Sequence, residues 1–199
     1  MPYENNYEYR PQVGDIDASV FWVTFGKNTR IELKNDSFPI GKLSIGLQKL
    51  DDNNRQIAYI NCYMDLPKAL VMANDILSGR FAKMAQGGSI VKVFSSQGGQ
   101  SAAKAKRDDG KPLYREFSLS KGQKWIAGAT SGPGKENPTT HGIVADGKPE
   151  VEVKVGILDD DIKAMALMIK SEYEAYRTAQ WIKSLKAQPK AANRVVYDR

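Results

Sequence analysis

The stretch Glu150–Leu158, EVEVKVGIL, sets Val151, Val153, Val155 and Ile157 at every second position, with Glu152, Lys154 and Gly156 between them. A period of two makes a β-strand with one buried face, because a helix would scatter those side chains around its axis. The same pattern sets Ile31 and Leu33 against Arg30, Glu32 and Lys34, and puts Leu43, Ile45 and Leu47 on one side of residues 41–50. Residues 18–26, ASVFWVTFG, are β-rich and apolar on both faces, and the turn DDNN at 51–54 leads into a strand over 55–64. Four strands therefore precede the first change of period.

That change comes at Asp65, a good helix N-cap, with Pro67 tolerated in the first turn. Leu66, Leu70, Ala73, Leu77 and Phe81 recur at three- and four-residue spacing, and Gly87-Gly88 closes the helix. Strands resume over 89–95, 112–120, 123–130 and 150–158. A second helix starts at Asp159–Asp161, whose carboxylates suit the helix dipole; Ile162, Met165, Ile169, Tyr173 and Tyr176 form its buried face, and it runs to about Leu185. The fold class is α+β, with two four-stranded antiparallel sheets each followed by a helix, ββββα-ββββα. Residues 1–17 read as a flexible arm, 18–185 as a single domain with halves 18–88 and 89–185, and 186–199 as a basic flexible tail. Two connections, 96–111 and 131–149, are long and rich in Gly, Ser and Lys, as functional or mobile loops often are.

Composition excludes several classes. Nothing approaches the roughly 20 apolar residues of a membrane span, and the start of the chain carries no apolar leader run. One cysteine, Cys62, precludes an intramolecular disulfide and fits a reducing, cytoplasmic setting. The stretch GATSGPGKEN, Gly128–Asn137, resembles a phosphate-binding loop only superficially. Ala129 stands where the first glycine belongs, Glu136 where a magnesium-binding hydroxyl belongs, and Pro138 breaks the helix that should follow. It reads as a mobile tip between strands, with Lys135 open to a phosphate. The single histidine, His141, has no metal-spaced partners, and no G-x-S-x-G elbow occurs. An enzyme is not expected, nor any cofactor.

The charge is more informative. The net +6 is uneven: residues 1–88 hold ten basic and ten acidic side chains, and residues 89–158 hold eleven and seven. Between Lys92 and Lys124 stand eight basic residues, including Lys104, Lys106 and Arg107, against Asp108, Asp109 and Glu116. Such an excess points to a polyanion. In residues 55–64 one face carries Arg55, Tyr59 and Tyr63; Lys92 and Phe94 share a face of the next strand. Arg115, Lys121 and Lys124 interleave with Tyr114 and Trp125. Cations follow a phosphate backbone while aromatic rings stack on unpaired bases. The competing reading is that these rings pack in the core and the lysines are merely solvated.

In element order and charge, residues 18–185 resemble the Whirly and PC4-like single-stranded nucleic-acid-binding proteins. Lys27 and Arg30, in FGKNTRIEL, are a loose match to the basic motif that the plant members carry on an early strand. The resemblance implies crossed sheets, helices packed on one side and at a subunit contact, and single strands running over sheet edges and hairpin loops. It implies a homo-oligomeric, sequence-independent single-stranded DNA-binding protein acting in replication, recombination or DNA transfer. RNA binding is an alternative, and so is a structural or assembly role in a phage or mobile element. An OB-fold rival would have five strands and one helix, which the second helical pattern opposes.

Overall fold

A computed structural model describes residues 19–86 and 89–187. Strands β1 (Val20–Gly26), β2 (Thr29–Lys34), β3 (Lys42–Leu50) and β4 (Gln56–Asp65) form an antiparallel meander in that order, sheet A. Helices α1 (Leu66–Leu77) and α2 (Arg80–Met84) follow. Sheet B contains β5 (Val91–Gln100), β6 (Leu113–Lys121), β7 (Trp125–Glu136) and β8 (Ile143–Ala145), and β9 (Val151–Ile157) also pairs with β7. A short helix α3 (Ala102–Ala105) interrupts the β5–β6 connection, and α4 (Asp159–Ala187) ends the described chain. The fold is α+β, two antiparallel sheets each followed by a helix.

The inward faces are those the alternation marked. Ile31, Leu33, Leu43, Ile45, Leu47 and Ile60 of sheet A are at most 1% exposed, as are Val153, Val155 and Ile157 of β9. β9 approaches all four strands of sheet A, so strands of the two sheets cross face to face. α1 and α4 pack against each other, and Ile162, Met165 and Ile169 of α4 join the same buried cluster, with Tyr173 and Tyr176 packed at its margin. Phe38 ties this layer down, meeting the Tyr176 ring edge-on at 5.4 Å.

Several local expectations change. The first helix is not continuous: Gly79, at φ +73°, turns the chain in a left-handed conformation between α1 and α2. Gly87, Gly88, the arm 1–17 and all but the first two residues of the tail 186–199 lie outside the described residues. Asp65 makes no side-chain cap; it closes β4 and pairs with Lys42. The connections 96–111 and 131–149 are partly strand, over 96–100, 131–136 and 143–145, because glycine lets backbones approach more closely than any side chain would permit. A β-carbon at Gly99 would lie 2.3 Å from the Leu113 carbonyl oxygen and 2.7 Å from Ile143; one at Gly134 would lie 2.5 Å from Ile143. Gly132, Pro133 and Gly134 therefore belong to β7 rather than to a mobile tip. The β7–β8 hairpin, with Gly134 opposite Ala145, folds back over the outer side of sheet B.

Candidate nucleic-acid interface

The outer face of sheet A is built by register. Phe25, Arg30, Gln48 and Tyr59 lie in one row across β1 to β4; Glu32, Gly46 and Asn61 form the next, and Lys34, Ser44 and Tyr63 the third. Phe25 is 53% exposed, Tyr59 38% and Tyr63 43%. Three rings thus share an open face with Arg30 and Lys34, and exposed Lys27 and Arg55 stand at its turns. An exposed aromatic cluster of this kind is uncommon on a solvated sheet, because large apolar side chains are normally buried.

Polar contacts hold the rings in place. Glu32 is buried and pairs with Arg30 at 2.7 Å and Lys34 at 3.1 Å. The Arg30 guanidinium also lies 5.8 Å from the Phe25 ring centre. The Tyr59 hydroxyl reaches toward Glu32 Oε1 at 3.5 Å and crosses over Gly46, whose missing β-carbon would sit only 2.7 Å from the Tyr59 hydroxyl oxygen. Burial, with Glu32 close by, raises the Tyr59 pKa although Lys34 opposes it, so the phenol is neutral. Ser44 donates to Asn61 at 2.9 Å, and the Asn61 amide donates to the Tyr63 hydroxyl at 3.1 Å. Phe25 and Lys34 were not evident from the sequence. Lys34 shared the polar side of Arg30, whereas Phe25 was hidden in a run apolar on both faces.

The residues expected on sheet B fare differently. Tyr114 is 6% exposed and Trp125 3%, so neither ring is open to a base. A β-bulge between Lys92 and Phe94 removes them from a common face; Phe94 packs beside Phe81 at 6.0 Å, with Lys68 over its ring. Four of the eight basic residues from Lys92 to Lys124 are tied to carboxylates: Lys92 to Glu116, Arg107 to Asp109 and Glu150, Lys111 to Asp146, and Lys121 to Asp159. Arg107 is the most engaged. Four bonds of 2.8–3.0 Å join its guanidinium to Glu150 and Asp109. These bonds raise the Arg107 pKa, Glu150 first, and hold Asp109 at about 2. Arg107 is therefore a clasp between the α3 loop and the residue preceding β9. Burial opposes ionisation of Glu116, but hydrogen bonds from Ser95 and Lys92 outweigh it and lower its pKa. Lys104, Lys106, Lys124 and Lys135 are exposed cations, with Lys135 on the β7–β8 hairpin rather than in a loop.

Sheets A and B meet at their edge strands. Between β4 and β5 runs a cleft of about 180 Å³, lined by Lys42, Tyr63, Lys68, Gly98, Gly99 and Arg115, with the Cys62 thiol on its inner side. Burial pushes that thiol up to about 12, against the influence of Arg115, so it is neutral.

The chain matches no family model, no curated protein and no solved structure. Its chemistry must be read from these residues.

A second cavity, about 270 Å³, lies beneath the β7–β8 hairpin against Tyr114, Glu116 and Lys148. His141, at φ +53°, contacts exposed Glu136 at 2.8 Å in the hairpin turn. Among the described residues no group of His, Cys, Asp and Glu is placed to hold a metal ion, and no helix is long and apolar enough to cross a membrane.

Proposed function

We propose that this protein binds single-stranded nucleic acid, DNA in the first instance, across the open face of sheet A. One observation carries the reading: Phe25, Tyr59 and Tyr63 are exposed among cations on one face of sheet A. Stacking on such rings is sequence-tolerant, since every base has a π-face, and the surrounding Lys and Arg attract the backbone. A duplex hides its base faces and binds less well. The role is non-catalytic and cytoplasmic, in replication, recombination or DNA transfer, without a cofactor.

We also propose a homo-oligomer, built on the outer end of α4. The face Ile162–Tyr176 packs on the protein's own core, whereas Trp181, Ile182 and Leu185 stand exposed on one side of α4 beyond it. A second copy would cover this stripe.

The test is anisotropy with labelled oligo(dT), oligo(rU) and a duplex of equal length at several salt concentrations. Saturable single-strand binding, weakened by Tyr59→Ala with Tyr63→Ala, supports the proposal. Tighter binding of the duplex, or no binding at low salt, defeats it.

A further inference from the structure

We infer that the cleft between β4 and β5 is a phosphate site centred on Arg115, with Lys68 and Lys42 at its rim. The inference deepens the single-strand reading, which supplies the molecule carrying the phosphate.

Arg115 differs from its basic neighbours. It sits on the inward side of β6, half-buried, beside the neutral Cys62 thiol. No carboxylate among the described residues pairs with it, whereas Lys92, Arg107, Lys111 and Lys121 each have one. A guanidinium cannot shed its charge by deprotonation. Taking it partly out of water without an anion is costly, and among the described residues this charge has no counterion. The single carboxylate in the cleft, Asp65, is already held by Lys42.

The cleft's shape fits one anionic group. Gly98 lies opposite Arg115 in the ladder, and Gly99 follows it, so no β5 side chain covers the guanidinium at that point. Organic ligands usually occupy about 300–1,000 Å³; this cleft, at about 180 Å³, is too small for a whole nucleotide. A guanidinium fork matches the paired oxygens of a phosphate. Tyr63 lines the cleft and also stands on the open face of sheet A, so a base stacked there has its own phosphate within reach of Arg115. The phosphate can come from a diester within the strand or from a terminal monoester.

The full-length chain is titrated with inorganic pyrophosphate while backbone amide resonances are followed, and with 5′-phosphorylated and 5′-hydroxyl oligo(dT) by anisotropy. The Gly98 and Gly99 amides should shift saturably, and the shifts should vanish in Arg115→Ala. That variant should bind oligonucleotide roughly tenfold more weakly, the worth of one charge-assisted contact, with a salt slope lower by about 0.7. Arg115→Lys, which keeps the charge and loses the fork, should fall between, and covers the case in which the alanine variant misfolds. Preference for the 5′-phosphate assigns a strand end; equal affinity for the two oligonucleotides, still reduced by Arg115→Ala, assigns an internal diester. Pyrophosphate shifts without any oligonucleotide binding keep the phosphate site and remove the single-strand reading. Oligonucleotide binding unchanged in affinity and slope by both Arg115 variants overturns the site and leaves sheet A standing. A glutamate-rich peptide that moves the same amides at lower concentration than pyrophosphate overturns it in favour of a carboxylate ligand.

Discussion

Gly46→Ala tests the open face of sheet A without touching a residue that would contact a base. The added methyl would lie 2.7 Å from the Tyr59 hydroxyl and 3.0 Å from Glu32 Cγ and Oε1. Comfortable carbon contacts need about 3.5–4.0 Å, so the phenol end of Tyr59 must swing by about 1 Å. Glu32 is held from both sides by Arg30 and Lys34, so the tyrosine, with its freer end, gives way. The fold should tolerate this. Gly46 has no left-handed backbone angle, and loss of glycine's freedom in the unfolded chain offsets the crowding, leaving stability within about 1 kcal/mol of the parent. Binding should suffer more. Complete removal of the ring in Tyr59→Ala should cost roughly 1–3 kcal/mol, or about 5- to 150-fold. Displacement in Gly46→Ala should cost part of that, about two- to tenfold. Because no charge is removed, the decrease should be the same at every salt concentration, leaving the slope of log affinity against log salt unchanged. Anisotropy with oligo(dT) across a salt series, beside thermal melts, measures both. Full affinity in Gly46→Ala when Tyr59→Ala is impaired would show that the ring's seat on the sheet is irrelevant. Full affinity in both variants would remove Tyr59 from the interface.

Trp125→Ala should destabilise the protein by about 3–5 kcal/mol in urea titration, as a buried aromatic does, with oligonucleotide affinity of the folded fraction retained. Lys104→Ala with Lys106→Ala should lower the salt slope if the α3 loop touches phosphates, by about 0.7 for each phosphate no longer neutralised; Arg107→Ala should instead expose residues 101–111 to limited proteolysis, because its charge is already engaged. Acid should destabilise the protein as a whole. Asp109, at about 2, and Glu116 and Asp159, held below their usual values by hydrogen bonds, contribute stability that is complete above a free carboxylate's pKa of about 4. That stability is lost as pH falls toward 2, which melting curves at descending pH will record. Trp181→Glu should shift sedimentation toward a monomer if the exposed stripe of α4 is the contact between copies.

The core was legible because alternation reports burial directly. Val153, Val155 and Ile157, Leu43, Ile45 and Leu47, and the α4 face from Ile162 to Tyr176 lie inside or against the core as the periodicity required. The glycine-rich connections were not legible. Glycine signals both a turn and a close backbone approach, and only the neighbouring strand distinguishes them, as Ile143 does at Gly99 and Gly134. The candidate face was half legible. Tyr59 and Tyr63 followed from the face opposite Ile60 and Cys62, but Tyr114 and Trp125 resembled them in sequence and are buried, and Phe94 is partly buried against the core. The β7–β8 hairpin covers Tyr114, and a bulge rotates Phe94. Charge counting misled for a similar reason: Glu150 and Asp146, the acids that engage Arg107 and Lys111, lie far along the chain.

β9 is the last strand among the described residues, yet it lies against all four strands of the first sheet. During synthesis, Ile31, Leu33, Ile45 and Leu47 must wait uncovered until residues 151–157 have emerged from the ribosome. Such long-range closure makes folding slow and leaves the early half exposed to aggregation meanwhile. A chain halted after residue 86 should therefore be insoluble alone, and supplying the 89–187 fragment in trans should rescue it.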